Sequence, residues 1–292
     1  MSPVNRARSA FCDIDLKTFL RKHIPAPIWK SMSLAKSMVL DFVDSLLGRR
    51  DPMVPPRRMI FVGSGDFLAI GEAFLDLFRK LGNLQPQHRV LDVGCGIGRM
   101  AIPLTKYLTS GGSYEGFDIV PRGIKWCTEK ITPHYENFKF QLADIRNSEY
   151  NATGHQTAAE FRFPYLDREF DFVFLTSVFT HMKSEDVENY LAEIERVLKP
   201  EGRCFITWFL LNAESRKLMR EGRSAIDFKF AFGNLLTTNP EVPEEAIAYD
   251  EAYVTSLYGK AGLTLITPIY FGSWCNRENS FASYQDICIA YK

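Results

Sequence analysis

Three glycines at alternating positions, Gly94, Gly96 and Gly98, follow the apolar run Val90-Leu91-Asp92-Val93 and precede a helical pattern. A residue without a Cβ lets the backbone take positive φ and lets its N–H groups approach a ligand, so this turn can cradle a polar group. The same turn can also serve only to pack a strand tightly against a helix. Its G-x-G-x-G spacing departs from the G-x-G-x-x-G of dinucleotide sites, and the acid Asp92 just before it points the same way. Twenty residues beyond Gly98, the run Gly116-Phe117-Asp118-Ile119 ends in a carboxylate, at the distance where such an acid accepts hydrogen bonds from ribose hydroxyls. A helix-capping Asp is the alternative, but it leaves the glycine turn unexplained. Gln141-Leu142-Ala143-Asp144-Ile145 places a further acid where it can receive an adenine amino group, with Ile119 and Ile145 as apolar walls for the ring.

The elements that must position these residues read as alternating strands and helices. Strands are expected at 89–93, 113–118, 138–142, 171–175 and 203–211, and helices at 69–81, 100–108, 122–131 and 184–198, with two closing strands at 263–270 and 285–291. This alternation predicts an α/β, Rossmann-like fold with a mostly parallel sheet covered by helices on both faces. Residues 147–165 and 212–248 break the pattern and read as loops or lids after strand ends, where open α/β sheets bind ligands. Upstream, apolar residues from Ile28 to Leu47 recur at helical steps, and Pro52, Pro55 and Pro56 stand among four arginines in a connector. The expected organisation is an N-terminal helical extension over 1–58 and a main domain over 59–292.

Composition narrows the function classes. The 292 residues carry 35 Lys+Arg and 35 Asp+Glu, so no net field draws the chain to a nucleic-acid backbone, and 46% hydrophobic content is that of an ordinary folded protein. The six cysteines form no C-x-x-C pair or zinc cluster, which suggests reduced thiols and a cytoplasmic location. No apolar run is long enough to span a bilayer, and residues 1–12 lack an apolar signal core. The stripe at 28–47 has the geometry of a surface-lying helix, but packing on its own domain is the expectation because Asp41 and Asp44 dilute its basic face.

In these residues the sequence resembles the class I S-adenosylmethionine-dependent methyltransferases. The resemblance runs through Val90–Arg99, Gly116–Ile119, Ala143-Asp144-Ile145, the run from Phe170 to Met182, and residues 191–211, where Glu193-Ile194-Glu195-Arg196-Val197-Leu198-Lys199-Pro200-Glu201-Gly202 is similar to the helix and turn before the family's fifth strand. It implies a seven-stranded sheet with an antiparallel last strand and S-adenosyl-L-methionine across the C-terminal edges of the first strands. The cofactor contacts it implies are Asp92, Gly94, Cys95, Gly96 and Gly98 at the methionine end, Asp118 on the ribose, Ile119 and Ile145 about the adenine, Asp144 on its amino group, and backbone near Leu175 and Thr176 at the methionine. Gly63-Ser64-Gly65-Asp66-Phe67 would fold over the cofactor, or make a plain turn and helix cap. The link 147–168 is longer than the family's usual one.

Methyl transfer from a sulfonium is an in-line displacement, so alignment dominates, and a hydroxyl acceptor must also lose a proton. His181, just after the fourth strand, is the candidate base; capping a helix or touching the cofactor is its alternative role. Trp274 and Arg277, between the last strands, either contact the acceptor or belong to the hairpin's own core, and core packing is the expectation for them and for the 228–232 aromatics. No N-P-P-Y signature of nucleic-acid amino methylation stands at 175–178, and Asp171 lacks a partner acid for a metal. The expected reaction is therefore methylation of a small molecule, at a hydroxyl of a sugar, glycolipid precursor or natural product. A non-catalytic binding protein and a nicotinamide-dependent oxidoreductase are the alternatives.

Overall fold

The computed structural model describes residues 35, 37–44, 46–48, 51–63, 65–148, 150–278 and 281–292. The chain divides into two compact units, Met1–Phe61 and Val62–Lys292. In the first, residues 37–44 are helical, and Asp41 accepts a hydrogen bond from the Arg57 backbone N–H at 2.8 Å while Asp44 pairs with the Arg57 guanidinium at 2.6 Å. The two acids thus tie the helix to the Pro/Arg connector, and the apolar stripe expected to pack on its own domain is instead uncovered, with Val39, Phe42 and Leu46 at 62%, 67% and 74% exposure. The start of the predicted helical stripe, including Ile28 and Met32, and the region 1–12 with Cys12 lie outside the described residues.

The second unit begins with α1 (Phe67–Lys80), whose first turn is capped by Asp66 accepting from the Ala69 N–H at 2.8 Å. Then follow β1 (Arg89–Val93), α2 (Ala101–Thr105), β2 (Ser113–Asp118), α3 (Pro121–Lys130), β3 (Phe138–Leu142), β4 (Phe170–Leu175), α4 (Ser184–Val197) and β5 (Leu198–Trp208). The remainder is β6 (Leu210–Leu211), α5 (Ala213–Arg220), β7 (Phe230–Phe232), β8 (Leu235–Thr237), β9 (Ile247–Asp250), α6 (Glu251–Lys260), β10 (Thr264–Tyr270) and β11 (Asp286–Tyr291).

Seven strands form one sheet in the order β10-β11-β5-β4-β1-β2-β3, parallel throughout β5, β4, β1, β2 and β3, with β11 antiparallel to both neighbours. The C-terminal ends of β1, β2, β4 and β5 therefore share one edge. Continuous apolar strands fit this position, because a central parallel strand is covered on both faces: Phe172, Val173, Phe174 and Leu175 of β4 are all fully buried. On one face Phe78 of α1 packs against Phe172, Phe174 and Phe205, and on the other Val187, Leu191 and Ile194 of α4 join the core.

Three expectations are corrected. The helix predicted over 100–108 has only the five residues of α2, and turn-type bonds replace helical ones from Lys106 N–H to Pro103 O and from Tyr107 N–H to Leu104 O. The fifth strand starts at Leu198, not at residue 203: Phe170 pairs with Leu198 and Phe172 with Arg203, so Lys199 to Gly202 form an irregularity within the strand, with Glu201 at φ 65°. The strand also ends at Trp208, and Leu210–Leu211 turns into a second sheet of order β6-β9-β8-β7. Residues 212–248 are consequently a folded layer rather than a loose lid, held by Phe209, Phe228 and Trp274 in a separate small core.

Candidate functional site

The glycine turn sits where β1 ends. Gly94, Gly96 and Gly98 all have positive φ, and the Gly94 and Cys95 N–H groups donate to Phe117 O at 2.9 and 3.0 Å, hooking the turn to the neighbouring strand. A Cβ on Gly94 would lie 2.5 Å from Val178, and one on Gly96 would lie 2.6 Å from Val62, so two chain segments close over the turn. Val178 follows β4, and Val62 belongs to the segment before α1. The Arg99 guanidinium donates to the carbonyls of Val62 and Gly63 and stands 5.3 Å from the Phe67 ring. Val62, just before the segment 63–67, lies on the glycine turn, and within that segment Asp66 caps α1; Ser64 is outside the described residues. Cys95 is buried, burial raises its thiol well above the ordinary range, and its carbonyl accepts the Gly98 N–H at 3.0 Å, so it shapes the turn and offers no thiolate.

Two carboxylates stand behind this turn. Asp118 is buried at the end of β2, with one oxygen accepting from Gly96 N–H at 2.7 Å and the other from Val120 N–H at 2.8 Å. Burial raises its pKa, and these backbone donors oppose the rise. The 20-residue spacing read from sequence is therefore a physical bridge from acid to turn. Asp92 is 1% exposed; its Oδ2 accepts from the Tyr114 hydroxyl at 2.6 Å, whereas Oδ1 has no donor. Burial, opposed by the Tyr114 bond and reinforced by the Asp118 charge, pushes its pKa up to about 8.

At the end of β3, Asp144 is exposed and Ile145 is 2% exposed within the main core, while Ile119 is only partly covered. Of the two expected adenine walls, Ile119 keeps more of its surface at the edge. The segment after β3 folds back onto this strand end: Ile145 bridges Gln156, and the His155 imidazole Nδ1 lies 2.6 Å from Asp144 Oδ2. Sequence reasoning missed His155, because its separation from Asp144 is set by the local turn of the inserted link and by no motif.

Beyond β4, Leu175 is buried, Thr176 is partly exposed and Ser177 adopts φ 60°. Thr207 Oγ1 accepts the Ser177 N–H at 2.8 Å and donates to Gln285 Oε1 at 2.7 Å, and Ser177 Oγ donates to the same oxygen at 2.9 Å. Gln285 thereby turns its amide nitrogen away from this cluster, a polar group at the sheet edge that no sequence motif marked.

His181 lies in the short 3-10 turn Phe179–His181, where both inserted segments meet it. Its Nδ1 is 2.9 Å from Glu244 O, Asn147 Nδ2 donates to its carbonyl at 3.2 Å, and the Tyr150 ring stands edge-on at 5.4 Å. Glu244, 7% exposed, also accepts the Ser148 N–H at 2.9 Å, pinning the two insertions to each other. A carbonyl can only accept, so Nδ1 carries the proton and the neutral ring has its lone pair on Nε2.

Trp274 and Arg277 belong to the fold of the hairpin before β11. Trp274 is fully buried and donates from Nε1 to Asp286 Oδ2 at 2.7 Å. Arg277 pairs with Asp286 and Glu214, each at 3.1 Å, while Glu278 pairs instead with Arg223 at 2.6 Å. Met182 and Phe228 are buried, whereas Phe230 is 43% exposed. Asp171 pairs with Lys199 at 2.8 Å and accepts the Arg89 N–H, which uses it in the fold at the opposite end of β4. Among the described residues, no group of His, Cys, Asp and Glu side chains is arranged to hold a metal ion, and no helix is long and apolar enough to cross a membrane.

Known proteins are similar to this chain over part of its length. A family described as a methyltransferase domain matches residues 91–206. The chain is 25% identical over 138 residues to the methyltransferase GfsG of Streptomyces halstedii, covering 47% of this chain and 43% of that protein. It is 33% identical over 124 residues to a demethylmenaquinone methyltransferase of Listeria monocytogenes, covering 42% and 46%. The match thus spans less than half the length of these curated relatives. In fold, it is similar to a solved structure from Pyrococcus horikoshii, with a TM-score of 0.52 at 18% identity over 80% of this chain and 94% of that one. Residues 91–206 thus match a methyltransferase domain, and the sheet order and glycine turn around them are those that the resemblance to the class I S-adenosylmethionine-dependent methyltransferases implies.

Proposed function

We propose that the protein transfers a methyl group from S-adenosylmethionine to a hydroxyl of a small-molecule acceptor, a sugar, glycolipid precursor or natural product. The relatives act on acceptors of different kinds, to judge from demethylmenaquinone, 2-methyl-6-phytyl-1,4-hydroquinone and phosphoethanolamine in their names, so the acceptor is argued from this chain's own residues. The observation that carries the hydroxyl reading is His181, held by Glu244 O at 2.9 Å in the tautomer whose Nε2 accepts a proton.

A buried acid beside the glycine turn supports the cofactor reading. Asp92 Oδ1 is a buried acceptor without a donor beside the glycine turn, and a cationic amino-acid end supplies what it lacks. In this reading Asp92 and the turn Gly94-Cys95-Gly96-Ile97-Gly98 hold the methionine end with backbone near Leu175 and Thr176, and Asp118 holds the ribose through its remaining lone pairs. Ile119 and Ile145 flank the adenine. Asp144 takes its amino group, sharing its carboxylate with His155. Bound S-adenosylmethionine supplies an electrophilic methyl on a sulfonium. His181 Nε2 takes the acceptor's proton as the new bond forms, and the Glu244 carbonyl stabilises the resulting imidazolium through Nδ1.

Calorimetric titration with S-adenosylmethionine, S-adenosylhomocysteine and NAD tests the cofactor: the two adenosyl compounds bind and NAD does not. Asp118→Ala lowers that affinity; unchanged affinity sinks the ribose assignment. His181→Gln leaves cofactor affinity in place and lowers kcat on a hydroxyl acceptor by about 10²–10⁴-fold, the usual contribution of a general base. Full turnover in that variant removes His181 from the chemistry.

A further inference from the structure

A cavity of about 260 Å³ opens beside the C-terminal end of β10, walled by Ile269, Tyr270, Phe271 and Phe281 and carrying two charged residues, Glu214 and Arg277. Because β10 runs parallel to β5 across the antiparallel β11, this is the same edge of the sheet as the ends of β4 and β5. The Arg277 side chain is 4% exposed. Its Nε donates to Glu214 at 3.1 Å and its Nη1 to Gly272 O at 2.6 Å and Asp286 at 3.1 Å, and the guanidinium lies 5.0 Å from the Phe271 ring, yet Nη2 has no hydrogen-bond acceptor among the described residues. A buried donor without a partner is costly, so a ligand oxygen that reaches it gains more than a surface hydrogen bond would.

The charges decide what kind of oxygen. Asp286 is saturated by four donors, the Leu210 and Gly272 N–H groups, the Trp274 indole and Arg277. With Glu214 on the other side, the guanidinium faces two carboxylates, so the cavity holds no surplus positive charge to draw an anion. An ammonium ligand would suit Glu214 and the rings, but it has no lone pair for Nη2. A neutral hydroxyl-bearing ring meets every demand: one hydroxyl accepts from Nη2, another donates to Glu214, and its C–H face lies on Tyr270 or Phe271. The volume is below the range of roughly 300–1,000 Å³ typical of drug-sized pockets, which suits one ring rather than a chain.

We propose that this cavity is the subsite for a neutral hydroxylated ring of the acceptor, a sugar or comparable cyclic polyol. The role as acceptor subsite rests on the methyl-transfer reading, whereas the binding chemistry stands without it. The test uses the full chain with methyl α-D-glucopyranoside as probe, tetramethylammonium and acetate as cationic and anionic competitors, and S-adenosylhomocysteine titrated in parallel. Ligand-observed saturation-transfer NMR gives the affinities for the natural chain, Glu214→Gln and Ala282→Trp, the last filling the cavity from its exposed rim. The glucoside binds the natural chain, binds about fivefold more weakly to Glu214→Gln and is lost with Ala282→Trp, while S-adenosylhomocysteine affinity is the same in all three. A glucoside that fails to bind, that binds Ala282→Trp unchanged, or that is displaced by either ion overturns the proposal. Glucoside binding without any S-adenosylhomocysteine binding keeps the subsite and overturns the methyl-transfer reading instead.

Discussion

Asp92 is an ionisable group placed where its charged form has little support. Its carboxyl pKa rises from 3.8 unfolded to about 8 in the fold, because burial outweighs the single hydroxyl donated by Tyr114. A folded-state pKa above the unfolded one means that the fold binds the proton more tightly. Stability from this group is therefore fully present below the unfolded value, falls as pH rises between about 4 and 8, and is flat beyond. Asp92→Asn keeps an acceptor for Tyr114 and cannot ionise, so its urea midpoint falls less steeply over that window than that of the natural chain. Parallel profiles would show that Asp92 is not the group responsible. In the proposed reading the same substitution weakens cofactor binding, since a cationic ligand group draws the Asp92 proton off and then meets a carboxylate, which an amide cannot become. Asp92, Asp118 and the three glycines were legible because strand, turn and spacing are local. Tyr114 was not, since only the pairing of β1 with β2, which sets Asp92 opposite Gly116, brings its hydroxyl to the carboxylate.

At the scale of elements, the hairpin between β10 and β11 is welded by Asp286. Its fully buried carboxylate joins the start of β6 through Leu210, the hairpin through Gly272 and Trp274, and α5 indirectly through Arg277 and Glu214. Asp286→Ala leaves Arg277 short of a partner and two backbone N–H groups unpaired, a loss of about 3–5 kcal/mol by analogy with broken buried pairs. Equilibrium urea unfolding measures it, and a change under about 1 kcal/mol would show that the site relaxes or admits water. The strands of the main sheet were readable from their apolar runs. The small sheet β6-β9-β8-β7 escaped because strands of two to four residues are too short for a period to register, and because its pairs join β6 to β9 across the intervening segment. The start of β5 was missed for a different reason: Lys199-Pro200-Glu201-Gly202 has the composition of a turn and is accommodated as an irregularity inside a strand.

Over the second unit as a whole, the two insertions behave as one device. Residues after β3 and residues before β9 come from opposite sides of the β4 end, and Glu244 joins them through its carboxylate on Ser148 N–H and its carbonyl on His181 Nδ1. Tyr249 adds a hydroxyl donated to Met182 O, and the Thr237 hydroxyl donates to Pro243 O at 2.9 Å, so the turn that presents Glu244 is itself braced. In Glu244→Ala the backbone carbonyl remains and only the Ser148 tie is lost; Ser148 is exposed, so water takes up its N–H and the cost is about 0.5–1 kcal/mol. Global stability is then little changed, but amide exchange accelerates in residues 145–148 and 150–156, while exchange in β1 and β4 stays as it was. If the tie serves to hold His181 under a closed cover, kcat falls with cofactor affinity intact. If exchange quickens without loss of kcat, the insertions shape the acceptor's entry and the Glu244 carbonyl keeps the tautomer of His181 without the Ser148 tie.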